Sequence, residues 1–201
     1  MKPPLSQRLA ILIVGGLVAL AGCGTSPPPT PPKPSVSVPP IPAQLNGAKF
    51  KADPCTAITV EQLQSIGFSE NGTQQRGRDG ECFVAFGKSV EVTASWHPVL
   101  EDSNNISTLY RDHASGRHNP KNWEEVTING YPGVITEIEE NVLTKQDEGP
   151  LACRLALGVD DTTLVYVGAN TRGRAEAGPW KNDPCGAAKK ISEFVLDNLR
   201  G

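Results

Sequence analysis

Residues 153–169 read CRLALGVDDTTLVYVGA, and this stretch decides the fold. Apolar side chains alternate along residues 153–159, which is the period-two pattern of a β-strand. Residues 160–163 supply a polar turn, and residues 164–169 are apolar throughout, as in a buried strand. Strands joined by so short a turn pair antiparallel. The stretch therefore predicts a mostly antiparallel sheet.

Four further strands are predicted upstream of this hairpin. Residues 82–86 and 90–96 alternate in the same way and are joined by a turn at residues 87–88. Residues 123–128 and 131–138 flank Asn129-Gly130, which is the strongest short hairpin signal. The sequence thus predicts a sheet of about six strands.

Three helices are predicted around the sheet. The tripeptide Asp-Pro-Cys ends at Cys55 and again at Cys185, and each copy is a helix start with an N-cap and a proline at the first position. A capping box follows the first copy at Thr59, and residues 106–113 are apolar at helical spacing. With residues 70–80 as a loop, the predicted order is α-β-β-α-β-β-β-β-α. We therefore expect an α+β domain in which the helices cover the sheet.

Residues 1–22 have the parts of an export signal, with Lys2 and Arg8 ahead of an apolar run. That run covers residues 9–20, which is shorter than the about 20 residues that span a bilayer. Residues 20–23, Leu-Ala-Gly-Cys, resemble the bacterial lipoprotein signal, in which the cysteine takes a diacylglycerol. We expect Cys23 to be lipidated and to anchor the chain at the extracytoplasmic face of the cell membrane. A plain secretory signal is the alternative.

Residues 23–51 are predicted as a disordered, proline-rich tether behind that anchor. Nine of the 18 prolines lie between residues 27 and 42, and residues 24–47 carry one charge, Lys33. Such a composition buries too little apolar surface to fold and favours polyproline II. The tether is interpreted as a spacer, with a proline-rich ligand as the alternative. Residues 52–201 then form a single domain.

The charge of the chain limits its partners. Loss of residues 1–22 moves the net charge from −3 to −5, because Lys2 and Arg8 are removed. A mildly acidic domain binds nucleic acid and anionic lipid headgroups poorly. The predicted membrane contact is therefore the lipid on Cys23, and no nucleic-acid partner is expected.

The other four cysteines are expected to form two disulfides outside the cytoplasm. Zinc is disfavoured, because its sites usually contain close pairs and here the nearest cysteines are 27 residues apart. Of the three connectivities, the similar positions of Cys55 and Cys185 at helix starts, and of Cys82 and Cys153 at strand starts, favour the pairs Cys55–Cys185 and Cys82–Cys153.

Several features of the chain occur together in one known family. They are the lipobox with its proline-rich tether, Asp53-Pro54-Cys55 followed by Thr59, the Cys82 strand, the Asn129-Gly130-Tyr131-Pro132 hairpin and the final Asp183-Pro184-Cys185-Gly186-Ala187-Ala188 helix. The chain resembles the actinobacterial lipoproteins grouped as domain of unknown function 3558. The resemblance implies a location and a fold, and it implies no activity and no catalytic residues.

Candidate contact residues lie in two small basic loops and at one tryptophan. The loops contain Arg76 with Arg78 and Arg172 with Arg174, which are either solvated charge or a shared rim for an anion. Core packing is the default interpretation of the tryptophans, and Trp180, beside Gly-Pro and lysine, is the candidate for an exposed aromatic contact. The acidic side chains of residues 137–148 are interpreted as an exposed face.

No catalytic, metal or cofactor motif is recognisable. His97, His113 and His118 lack metal-ligand spacing, and neither a nucleophile elbow nor a P-loop is present. His113 is expected to be a packed histidine of its helix. We therefore expect a non-enzymatic binding module of the cell envelope, whose partner is an envelope protein or a small ligand. An extracytoplasmic hydrolase acting on wall or lipid is the alternative, and it requires His113 or His97 beside a carboxylate.

Overall fold

The computed structural model describes residues 36–77, 80–98, 105–117, 122–140 and 149–201. The predicted signal peptide, the lipidation site Cys23 and the first part of the tether lie outside these residues. Among the described helices, none combines the length and the apolar character that crossing a bilayer requires.

One antiparallel sheet forms the centre of the domain. Its strands are β1 (Gly72–Arg76), β2 (Glu81–Phe86), β3 (Val90–Pro98), β4 (Glu124–Ile128), β5 (Tyr131–Glu139), β6 (Ala152–Asp160) and β7 (Thr163–Asn170). Their order in the sheet is β1-β2-β3-β7-β6-β5-β4. The three predicted hairpins are confirmed, and after β3 the chain enters the sheet again at the opposite edge, as β4. The α+β class and the antiparallel sheet are therefore as predicted.

The sheet has seven described strands, whereas the sequence predicted six. The added strand is β1, which lies within the predicted loop of residues 70–80. Its sequence GTQQR has no apolar alternation, because the strand lies at the edge and four of its five residues are exposed. Pairing with β2 holds it in place, so only the neighbouring strand reveals it.

Four α-helices and two 3-10 helices accompany the described strands, whereas the sequence predicted three helices. They are α1 (Ala48–Ala52), α2 (Val60–Ser65), α3 (Ile106–Ala114) and α4 (Pro184–Arg200), with 3-10 helices at Pro54–Thr56 and Ala175–Trp180. The predicted capping box is present, because the Gln62 N–H donates to Thr59 Oγ1 and the Thr59 N–H donates to Gln62 Oε1. Asp183 caps α4 by accepting from the Gly186 N–H at 2.8 Å.

The main core lies between α4 and one face of the sheet, here called the inner face. Ala94, Val167 and Leu155 form one cross-strand row of this face, and Ile191 and Val195 of α4 belong to the same buried cluster. All five side chains are essentially buried. Full burial of a large apolar side chain is worth about 1.5–3 kcal/mol, so this layer supplies most of the drive for folding.

The N-terminal strap, residues 36–45, packs on the domain and shortens the predicted tether. Val36 and Val38 contact the buried cluster that α3 forms with the outer face of the sheet, and Ile41 contacts both clusters. The Leu45 N–H donates to the Val159 carbonyl at 3.1 Å. Farther on, Phe50 is 1% exposed within the main core. The folded unit thus begins upstream of residue 52, because isolated apolar side chains in a proline-rich stretch find partners on the sheet.

Two disulfides are present, and the favoured pairing was wrong. The bonds join Cys55 to Cys82 and Cys153 to Cys185, with Cα–Cα distances of 4.9 and 5.1 Å. Cys82 on β2 and Cys153 on β6 are separated by β3 and β7, which places them about 14 Å apart at about 4.8 Å per strand. A disulfide needs a Cα–Cα distance below about 7 Å. Each Asp-Pro-Cys helix start is therefore bonded to the strand beside it.

Candidate functional site

The outer face of the sheet is half covered and half open. Ile106 and Leu109 of α3 pack on Val134, Ala156 and Leu164, and the N-terminal strap extends this cover. Beyond these residues, the same strands continue without a described helix over them. We call this part of the outer face, which no described helix covers, the open half.

A groove of about 170 Å³ lies on the open half, and we call it the outer groove. Strand register explains its composition, because β3 points Val92 and Ala94 inward and Glu91 and Thr93 outward. The residues that line it are Glu91, Thr93, Glu137, Glu139, Ala152, Cys153, Arg154, Gly168, Ala169 and Asn170. Ligand pockets for small organic molecules usually measure about 300–1,000 Å³, so the outer groove fits part of a larger partner or a small polar group.

Small residues form the floor of the outer groove. Gly168 and Ala152 lie on the two central strands, between the larger side chains of β3 and β5. A Cβ atom at position 168 would collide with the hydroxyl of Thr93, so this position requires glycine while Thr93 keeps its place. The depression consequently exists because small residues stand at these positions of β7 and β6.

The walls of the outer groove carry both signs of charge. Arg154 Nη1 lies 3.5 Å from Glu137 Oε2, and Arg172 Nη2 lies 3.7 Å from Glu139 Oε2. These four side chains are 42–59% exposed, and exposed pairs of this kind contribute about 0–1 kcal/mol each. The charges therefore stay available to an incoming partner, which can replace one weak ion pair with another.

A second depression of about 220 Å³ adjoins the first at the β2–β3 turn. It shares Glu91 and Asn170 with the outer groove and adds Lys88 and Arg172. The side-chain oxygen of Asn170 is buried and has no hydrogen-bond partner among the described residues. The two depressions thus meet at Asn170, whose buried side-chain oxygen accepts no hydrogen bond from a described residue.

The two basic loops do not form a shared rim. Arg76 aligns across the sheet with Cys82, Ala94 and Val167, whereas Arg172 lies five residues beyond Val167 and on the far side of β3. The guanidinium of Arg76 donates to Asp53 Oδ1 at 3.1 Å. This hydrogen bond is the main reason that the pKa of the Asp53 carboxyl lies below its usual value, and the hydrogen bond from the Cys55 N–H is the second.

The other two loop arginines are Arg174 and Arg78. Arg174 is exposed and precedes the 3-10 helix Ala175–Trp180, and Arg78 lies outside the described residues. Of the three described arginines that were predicted as contacts, the structure therefore brings only Arg172 to the candidate site.

Trp180 was the candidate for an exposed aromatic contact, but the structure places it half-buried, in agreement with the core-packing alternative. Its indole N–H donates to the Ile66 carbonyl at 2.8 Å, and its ring packs against the main core. The neighbouring Gly178–Pro179 segment contacts Gly67, which holds the two loops together. Trp180 thus fastens the 3-10 helix to the end of α2.

His113 packs as predicted, and its surroundings are aromatic. Its ring stacks on the Trp123 ring with centroids 3.8 Å apart. The Tyr110 ring meets the same Trp123 ring edge-on, with centroids 5.3 Å apart. Burial and then the nearby Glu125 charge raise the pKa of Tyr110 to about 12. His118 and the side chain of His97 lie outside what is described, so the cluster around His113 is the described histidine site.

Metal binding has no candidate among the described residues, where no three cysteine, histidine or acidic side chains are grouped suitably for an ion. The outer groove itself was missed by sequence reasoning. Its signal is the polar alternation of Glu91 and Thr93, which predicts a wet strand face and gives no information about its neighbours.

Comparison with known proteins gives one match. The family model described as "Protein of unknown function (DUF3558)" matches residues 18–198. No curated protein and no solved structure matches the chain. The match covers the described domain up to residue 198, including the outer groove and both disulfides.

Proposed function

The chain belongs to the DUF3558 family, whose function is unknown, and we propose that it is a lipid-anchored, non-enzymatic binding module of the bacterial cell envelope. The observation that carries the binding role is the outer groove on an otherwise well-packed domain. The open half of the sheet is the surface through which it contacts an envelope protein or a small polar ligand.

The cysteine usage supports the location. Four of the five cysteines are bonded in pairs, which is typical of proteins that fold in an oxidising compartment. Cys23 is then the one thiol left for another chemistry, and it follows small residues at the end of an apolar run. Two or more acyl chains anchor a protein stably, whereas one chain holds it only marginally.

The N-terminal strap sets the reach of the anchored domain. Because residues 36–45 pack on the sheet, 13 residue steps separate Val36 from Cys23. A tether of the predicted polyproline II kind over this span would extend about 40 Å at about 3.1 Å per residue. We propose that the domain acts within reach of such a tether from the membrane.

Site-specific photocrosslinking in intact cells tests the binding surface. A photoreactive residue replaces Glu137, which is 58% exposed at the groove, and in a control chain it replaces Asp197, which is 60% exposed on α4. We expect one recurrent crosslinked species from position 137 and none from position 197. The same products from both positions, or none from position 137, would contradict the proposed surface.

A further inference from the structure

No described strand pairs with the outer side of β1, so among the described residues this edge strand leaves an open row of backbone groups at one end of the sheet. Native edges are usually protected by charged side chains, proline or a bulge, and β1 has neither proline nor bulge and a single charged residue, Arg76, at its end. The other edge, β4, carries two glutamates, and Glu124 Oε1 accepts from Lys189 at 2.9 Å. Of the two edges, β1 is therefore the one suited to pairing with another strand.

The register of β1 shows which backbone groups are open. The Gly77 N–H donates to the Glu81 carbonyl at 2.9 Å, so the odd-numbered residues of β1 direct their backbone groups toward β2. Antiparallel pairing alternates, and Gly72, Gln74 and Arg76 therefore direct theirs away from the sheet. A partner strand must offer its own donors and acceptors at this spacing.

The charges beside β1 fit a second copy of the same strand. Glu70, which is exposed, lies just before β1, and Arg76 ends it. The Arg76 guanidinium is paired with Asp53 at 3.1 Å, but both side chains are exposed, so Glu70 of a second copy can join or replace this weak pair. When two copies run antiparallel about a two-fold axis at Thr73, Glu70 of each copy is opposite Arg76 of the other. The same register places Gly72 opposite Gln74, which are residues with open backbone groups. Cross-strand pairs of opposite charge contribute about 0.2–1 kcal/mol each.

We propose that two membrane-anchored copies pair through β1, with Thr73 opposite Thr73, into one continuous sheet of fourteen strands. The outer grooves of both copies then lie on the same face of that sheet and can engage a partner together. A five-residue edge contact is weak in solution, and lipid anchoring raises the effective concentration of the second copy. This inference rests on the proposed lipid anchoring and is independent of the proposed binding role of the outer groove.

Disulfide trapping in the full-length chain, in membranes, tests the register. Thr73 faces its own counterpart in a position without mutual hydrogen bonds, where Cα atoms are about 4.5 Å apart and a disulfide can form. Gln75 lies on the same side of β1 and is also exposed, but it is about 13 Å from its counterpart at about 3.3 Å per residue. Thr73→Cys is therefore the test variant and Gln75→Cys the matched control.

We expect Thr73→Cys to give a covalent dimer on mild oxidation and Gln75→Cys to give at least tenfold less. Adding Glu70→Lys to Thr73→Cys should reduce the dimer several-fold, because it places two positive charges opposite each other. Unchanged thermal unfolding of these variants confirms that they fold. The proposal is overturned if the Thr73→Cys chain stays monomeric or bonds to a different protein. It is also overturned if the Gln75→Cys chain dimerises as well as the Thr73→Cys chain.

Discussion

Removal of the Cys153–Cys185 disulfide should destabilise the domain by a predictable amount. The bond joins the start of β6 to the first turn of α4, and it closes a sequence separation of 32 residues. Cys153 is 3% exposed, so the bond lies within the packed domain and not at its surface. The double variant Cys153→Ser/Cys185→Ser removes the bond without leaving a free cysteine.

The expected magnitude follows from the closed loop. The chain-entropy treatment gives about 3.7 kcal/mol at 25 °C for a separation of 32 residues, and about 3.5 kcal/mol for the separation of 27 between Cys55 and Cys82. With an unfolding entropy of about 2.1 cal/mol/K per residue over the described domain, either loss lowers the Tm by about 10 °C.

Urea denaturation without reductant measures this loss, with Cys55→Ser/Cys82→Ser as the control of nearly equal predicted effect. Both variants should shift the midpoint and leave the native fold intact. A loss below about 1 kcal/mol in both would refute the loop-closure reasoning. Non-reducing peptide mapping of the wild-type chain that recovers Cys55 linked to Cys185 would refute the pairing itself.

Three further predictions concern single side chains. Phe50→Ala should lower the free energy of unfolding by about 3–5 kcal/mol in urea, because the ring is buried in the main core, and no effect would return Phe50 to a disordered tether. Thr59→Ala should cost about 1 kcal/mol through loss of the capping box, whereas Thr59→Ser should keep most of it. In a tyrosinate absorbance titration, Tyr110→Phe should remove a step near pH 12; since unfolded tyrosine ionises near 10, wild-type stability should fall from pH 10 through pH 12, less so in the variant.

The hairpins and helix starts were predictable because their signals are local. Asn129-Gly130 occupies a turn in which both residues have positive φ, and short side chains or none are what that turn requires. Asp183 and Thr59 cap their helices within three residues of themselves. Where a residue and its partner are neighbours in the chain, sequence was sufficient.

Properties that depend on strand order were not predictable. The disulfide pairs were predicted from similar positions in the sequence, at helix starts and at strand starts. In the sheet, however, β3 and β7 lie between Cys82 and Cys153. The outer groove depends on the same order, since Glu91 and Glu139 come together only through β7 and β6. Beyond the three hairpins, the chain contains no local signal for which strands are neighbours.

The strap was missed because composition describes an average. Residues 24–47 are rich in proline and poor in charge, which is typical of a disordered spacer. Val36, Val38 and Ile41 nevertheless find an apolar surface that α3 leaves uncovered. A few spaced apolar residues suffice when the partner surface already exists.

Intact-mass spectrometry of the chain purified from its own membranes tests the central claim of a lipid-anchored envelope protein most directly. We predict a mature chain that begins at Cys23, carries a diacylglycerol there and retains two disulfides. A Cys23→Ala chain should lack the lipid mass. A wild-type chain that keeps residues 1–22, or that begins elsewhere without lipid, would contradict the account.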